Sequence, residues 1–144
     1  MNDPRSDLST LALTVFSLNG QFLSIAETIA SQADLTATRW QVLGALTNTP
    51  LTQAEVARQM GITRQSVQRT SKQLVEEGLI KLQANPAHQK AMLLHLTSKG
   101  HDALSRIRPF HTEYAEQLIE TIGNKNVAEM IKALTDLSNA IKSL

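Results

Sequence analysis

The stretch Thr63-Arg64-Gln65-Ser66-Val67-Gln68-Arg69-Thr70-Ser71-Lys72 holds the densest set of side chains suited to meeting a ligand. Arg64, Gln65, Ser66, Gln68, Arg69 and Lys72 are hydrogen-bonding or cationic, and no acidic residue interrupts them. Their chemistry is recognition rather than catalysis. An arginine guanidinium donates two hydrogen bonds to guanine O6 and N7, and a glutamine amide pairs with adenine N6 and N7. Thr63, Ser66 and the free amides of a helix start suit phosphate oxygens, while Arg69 and Lys72, farther along, suit phosphates or bases. A solvated helical face that is merely basic is the bland alternative. Capping and turn signals on both sides favour DNA contact.

Charge supports this. The net charge is +1, but residues 51–100 carry seven basic side chains against three acidic ones, leaving the remainder mildly acidic. A basic middle between acidic flanks suits a polyanion on one part of the molecule.

Catalytic sets are absent from the sequence. There is no glycine-rich phosphate loop, no His-Glu-x-x-His and no Gly-x-Ser-x-Gly elbow. With no cysteine there is no disulfide, thiolate nucleophile, cysteine-ligated zinc or thiol switch. His88, His95, His101 and His111 do not share i, i+4 spacing on one helix, so neither a catalytic nor a metal site is expected. His101-Asp102 with His111 comes nearest to a ligand set, and solvated or capping roles suit those residues better.

The elements that must position the basic stretch follow from local signals. Thr52 and Glu55 have capping-box spacing, with Leu51 and Val56 as the apolar staple, so a helix starts there and runs to Met60. Gly61 stops it in a turn that favours a left-handed backbone. Thr63 caps a second helix, stapled by Ile62 and Val67, which ends at Glu77 with Gly78 as its left-handed terminator. Ala57 is small where the second helix crosses the first. Two helices joined this way are a helix-turn-helix, with the second helix presented to a major groove. Residues 79–84 and 91–96 read as strands joined by Asn85-Pro86-Ala87-His88-Gln89-Lys90, a hairpin whose His88 and Lys90 suit phosphates or the minor groove. Thr97 caps the next helix.

Flanking helices complete the plan. Residues 6–31 carry Leu8, Leu11, Val15, Leu18, Phe22, Ile25 and Ile29 at three-four spacing, and Gly20 allows a bend. Residues 35–46 form a short helix with Thr36 as cap and Trp40, Leu43 and Leu46 near one face. Residues 101–122 form another, in which Pro109 predicts a kink or a break. After Gly123-Asn124, a seam of Val127, Met130, Ile131, Leu134, Leu137, Ile141 and Leu144 predicts a last helix of about 18 residues. Narrow apolar seams at both ends predict homodimerisation over purely internal packing. No signal peptide is recognised, and no stretch approaches the roughly 18–20 uninterrupted apolar residues of a membrane span, so a cytoplasmic protein without membrane contact is expected.

Three stretches, LTATRWQVLGAL, PLTQAEVARQMGITRQSVQRTSKQLVEEGLI and NPAHQKAMLLHLTSKG, resemble the MarR family of winged helix-turn-helix regulators in order and spacing. With the flanking helices, the likeness covers nearly the whole chain. It implies a mainly α fold: residues 1–34 as a dimerisation helix, 35–100 as the winged DNA-binding lobe with a two-stranded wing, and 101–144 as further dimerisation helices. It implies a homodimeric, ligand-responsive repressor on a pseudo-palindromic double-stranded operator. A small aromatic or phenolic effector is also implied, with Phe16, Asn19 and Trp40 as candidate contacts. The family's wing tip usually carries Asp-x-Arg. The matching residues here are His88 and Lys90, which keep one charge but lose the planar arginine fork. A winged-helix protein-interaction module is the alternative, disfavoured by the basic, amide-rich second helix.

Overall fold

The computed structural model describes residues 3–144, which divide into two compact units, one ending at Ile107 and the other running from Arg108 to Leu144. The chain order is α1 (Pro4–Ser31), α2 (Ala37–Ala45), α3 (Gln53–Met60), α4 (Arg64–Glu76), β1 (Ile80–Gln83), β2 (Leu93–Leu96), α5 (Ser98–Ile122) and α6 (Asn124–Lys142). The fold is mainly α, with one antiparallel hairpin, as the sequence predicts.

In the first unit, α3 packs on α4, α2 on both, and α1 on α2. The core they share is aliphatic: Val42, Leu43, Val56, Val67, Leu74 and Leu94 have no exposed surface. Helix starts are fixed by threonines at non-helical backbone angles. The Thr36, Thr52 and Thr63 hydroxyls accept from the amides of Arg39, Glu55 and Ser66. Each satisfies a donor that the first turn of a helix leaves unpaired. The Thr97 hydroxyl does the same for Gly100 at the start of α5.

The hairpin pairs Ile80 with Leu96 and Leu82 with Leu94. Its tip is closed by Asn85, whose side chain accepts from Ala87 N and whose carbonyl accepts from His88 N. A contact without a local signal anchors the hairpin. Leu51, just before α3, exchanges two backbone hydrogen bonds with Leu94 at 3.3 and 2.7 Å. The wing is therefore tied to the start of the helix pair.

One expectation changes. Pro109 does not break α5, which runs unbroken through it. The proline forfeits a hydrogen bond to the Ser105 carbonyl, but both residues lie on the exposed face, where water can serve that oxygen. The N-terminal segment forms one long helix through Gly20, as its apolar spacing predicts.

Apolar exposure is concentrated in the flanking helices. On α1, Leu8, Leu11, Leu13, Val15, Phe16, Leu18, Phe22 and Leu23 are exposed, and only Ile29 and Ala30 are buried. By length and composition α1 passes as a membrane-crossing helix. Polar residues recur along it, however: Ser9, Thr10, Thr14, Ser17, Asn19, Gln21 and Ser24. In the second unit, Met130, Ile131, Leu134 and Ile141 of α6 are also exposed.

Candidate nucleic-acid interface

Helix α4 separates its residues by face. Val67, Thr70, Ser71 and Leu74 point into the core. Arg64, Gln65, Gln68, Arg69 and Lys72 are exposed, and Thr63 is exposed at the cap. Ser66 is half-buried rather than open, lying one turn before the buried Thr70 and so at the edge of the inward face. The turn before α4 has the expected glycine geometry. Gly61 sits at φ 66°, ψ 31°, and the Ile62 amide reaches back to the Ala57 carbonyl at 3.2 Å. Buried Val56, Ala57 and Val67 fix the crossing of the two helices.

The exposed residues line two neighbouring clefts. Gln65, Gln68, Arg69 and Lys72 share one of about 610 Å³ with Gln53, Ser71, Val75, Glu76 and Leu82. The Ser71 hydroxyl in its wall is buried and has no hydrogen-bond partner. Arg64 and Lys90 share the second, about 340 Å³, with Thr52, Gln53, Ala54, Leu82 and Met92. The wing thus brings Lys90 to the cleft of Arg64, beside the start of α3. His88 is exposed at the hairpin tip and lines neither cleft.

Electrostatically the interface is cationic, with free amides at two helix starts. Such a surface attracts phosphate oxygens, and arginine and glutamine side chains supply directional donors for base edges. Glu55, the acidic residue at the start of α3, is turned away from this role. Its carboxylate accepts from the Thr52 amide at 3.1 Å, and this bond, aided by the Thr52 hydroxyl and Arg58, holds its pKa below the ordinary value of 4.5.

Gln53 is the residue that sequence reasoning missed. It lines both clefts, so it sits between the wing and the second helix. Its signal was its place as the first residue after a threonine cap, where a side chain projects beside the free amides. The candidate effector contacts are not in these clefts. Phe16 is 72% exposed on α1, Asn19 is exposed on the same helix, and Trp40 is half-buried on α2.

A capped helix pair, a glycine turn and a hairpin pinned beside them define a winged helix-turn-helix. A family model for the MarR family matches residues 33–91. A protein of Mycobacterium tuberculosis is 38% identical over 101 residues, covering 70% of this chain and 71% of that one. Solved structures share the fold. A MarR/EmrR family transcriptional regulator from Acinetobacter sp. ADP1 matches over 100% of both chains, with a TM-score of 0.80 at 18% identity. A mutant MarR from E. coli complexed with operator DNA gives 0.77 at 18% identity, over 94% of this chain and 99% of that one. BpsR of Bordetella bronchiseptica, whose DNA binding is regulated by 6-hydroxynicotinic acid, gives 0.76 at 18%, over 90% and 98%. The chain belongs to the MarR family of transcription regulators. It is a regulator and not an enzyme.

Proposed function

We propose that the protein is a cytoplasmic, ligand-responsive repressor that binds a pseudo-palindromic double-stranded operator as a homodimer. The observation that carries this is the outward row of Arg64, Gln65, Gln68, Arg69 and Lys72 on a helix whose opposite face is locked in the core. Arg64 and Gln65 lie at its leading end, where base edges would be met. Thr63, Lys72, His88 and Lys90 suit the backbone on either side, and half-buried Ser66 adds a hydroxyl near the cap. The operator-bound E. coli relative supports the same use of the fold.

Dimerisation is supported by the exposed apolar side chains of α1 and, separately, of α6. Burying one such side chain contributes roughly 1.5–3 kcal/mol, so a second chain covering several of them gains far more than solvent exposure allows. That reading also accounts for an α1 apolar enough to cross a membrane, with no membrane required. A dimer would set two recognition helices one turn of DNA apart, about 34–36 Å.

The effector belongs to the same proposal. A small aromatic or phenolic compound, contacting Phe16, Asn19 or Trp40, would favour a dimer whose helix spacing no longer matches successive grooves. Regulation of BpsR by an aromatic acid supports this class. An effector that binds tightly yet leaves DNA affinity unchanged would sink it.

Selection from random duplexes, followed by titration of the recovered sequence at several salt concentrations, tests the DNA reading. A palindrome with half-sites one turn apart and a steep salt slope is expected. Arg64→Ala should then relax preference at one base position. Failure to enrich any duplex even at low salt would instead favour a protein-interaction module.

A further inference from the structure

The back end of α4 is held by directional polar contacts rather than by apolar packing alone. Arg39, on α2, donates from Nη1 to Glu77 Oε2 at 2.6 Å and from Nη2 to Gln73 Oε1 at 3.4 Å. Gln73 and Glu77 lie one turn apart on the same helix face, so a single planar guanidinium spans two successive turns. Glu77 is held a second time, because its carbonyl accepts from Lys99 Nζ at 2.7 Å. Arg39 is itself well fixed. Its amide donates to the Thr36 cap, and the preceding Ala37 amide donates to the Glu27 carboxylate of α1.

We propose that Arg39 is a positioning residue for DNA recognition, fixing the rotation and tilt of α4 through Glu77 and Gln73 without touching DNA. This rests on α4 being the helix that reads the operator. The leverage follows from helix geometry. Arg64 lies thirteen residues from Glu77, or about 20 Å at 1.5 Å per residue. A tilt of about 5° at Glu77 therefore moves the reading end by about 1.7 Å, beyond the few tenths of an ångström that a good hydrogen bond tolerates. The same pair does little for stability. Its side chains are 21% and 43% exposed, and exposed ion pairs are screened and offset by side-chain ordering. A large effect on specific binding with a small effect on unfolding is thus the signature of positioning.

The test sets two predictions of opposite sign against each other. Glu77→Met removes the acceptor and a negative charge near a DNA-binding surface. If only the overall field matters, it binds operator more tightly. If Arg39 positions the helix, operator affinity falls by about tenfold, the loss expected when one bidentate base contact is misplaced. Affinity for random duplex at low salt should fall much less, and the thermal midpoint should move little. Arg39→Met should lose operator affinity to a similar degree, and the double variant should be no worse than either single one. The exchanged pair, Arg39→Glu with Glu77→Arg, should recover most of the loss. Operator binding that is unchanged or tighter in Glu77→Met, or single effects that simply add, would overturn the clamp. If the wild type selects a duplex and Arg64→Ala relaxes that preference, such a result overturns the clamp alone. A wild type that selects no duplex overturns the DNA reading, and the clamp with it.

Discussion

Replacing Gly100 with alanine should destabilise the DNA-binding lobe, although alanine is the better helix former. Gly100 lies in the first turn of α5, where its Cα faces the backbone just after α4. An added Cβ would fall on the Leu79 carbonyl oxygen, nearer than real Cβ atoms come to anything, with Leu96 Cδ2 also at 3.0 Å. That carbonyl is held in place. It accepts from the Thr97 amide at 3.1 Å, while the Thr97 hydroxyl donates to Gly78 O at 2.6 Å. Relief therefore requires backbone to retreat against one or two hydrogen bonds, each worth about 1 kcal/mol, on top of the 1–3 kcal/mol typical of overpacking. Helix propensity returns at most about 1 kcal/mol. The net loss is about 2 kcal/mol, or roughly 5–8 °C in thermal midpoint for a chain of this size. Denaturant unfolding of the two proteins, followed by circular dichroism, measures it. A variant as stable as wild type would show that α5 can shift off Leu79 freely, and would refute the close approach as a constraint on the end of α4.

Gly61→Ala should cost about 1–2 kcal/mol from its left-handed backbone alone, since no atom lies within 4 Å of the new Cβ, and Gly61→Asn should cost less. Glu55 has a lowered folded pKa, so its contribution is fully present above its ordinary value of 4.5 and is lost as pH falls through the folded value. The stability difference between wild type and Glu55→Gln, measured by unfolding from pH 7 to pH 3, should shrink below that range; a difference constant with pH would refute the cap as its source. Lys72→Ala should reduce the slope of log affinity against log salt by about 0.9 for one lost phosphate contact, with sequence preference retained. An unchanged slope would place Lys72 off the backbone.

What the sequence revealed was local. The caps at Thr36, Thr52, Thr63 and Thr97 each bond an amide three residues on, so a short window carries the whole signal. Gly61 and Gly78 were legible for the same reason. Both adopt positive φ, and Leu79 N closes on Leu74 O at 2.9 Å. Contacts between distant residues left no such trace. Leu51 reads as a staple, and its pairing with Leu94 depends on where the hairpin lands. Arg39 and Glu77 are 38 residues apart, and each alone looks like ordinary surface charge. Pro109 misled because its cost depends on surroundings that the sequence does not show: it and Ser105 lie on the exposed face, where water can serve the carbonyl that loses its bond.

The inner face of α4 explains why so much of the site depends on those distant bonds. It offers the core two aliphatic side chains, Val67 and Leu74, and two hydroxyl residues, Thr70 and Ser71. At roughly 1.5–3 kcal/mol for each buried aliphatic, apolar burial holds this helix loosely compared with one bearing a full stripe. Burial of Val67 and Leu74 sets which face of α4 turns inward, and non-directional contact of this kind leaves fine changes of tilt and rotation to other bonds. Direction comes from the ends. Thr63 fixes the first turn, and Arg39 with Lys99 fixes the last. The outward residues are then free to differ between relatives without disturbing the fold, since none of the contacts that hold the helix runs through Arg64, Gln65, Gln68, Arg69 or Lys72. A reading helix held by its ends is also one that a small displacement of α2 can turn, which is the mechanical property a ligand-responsive regulator needs.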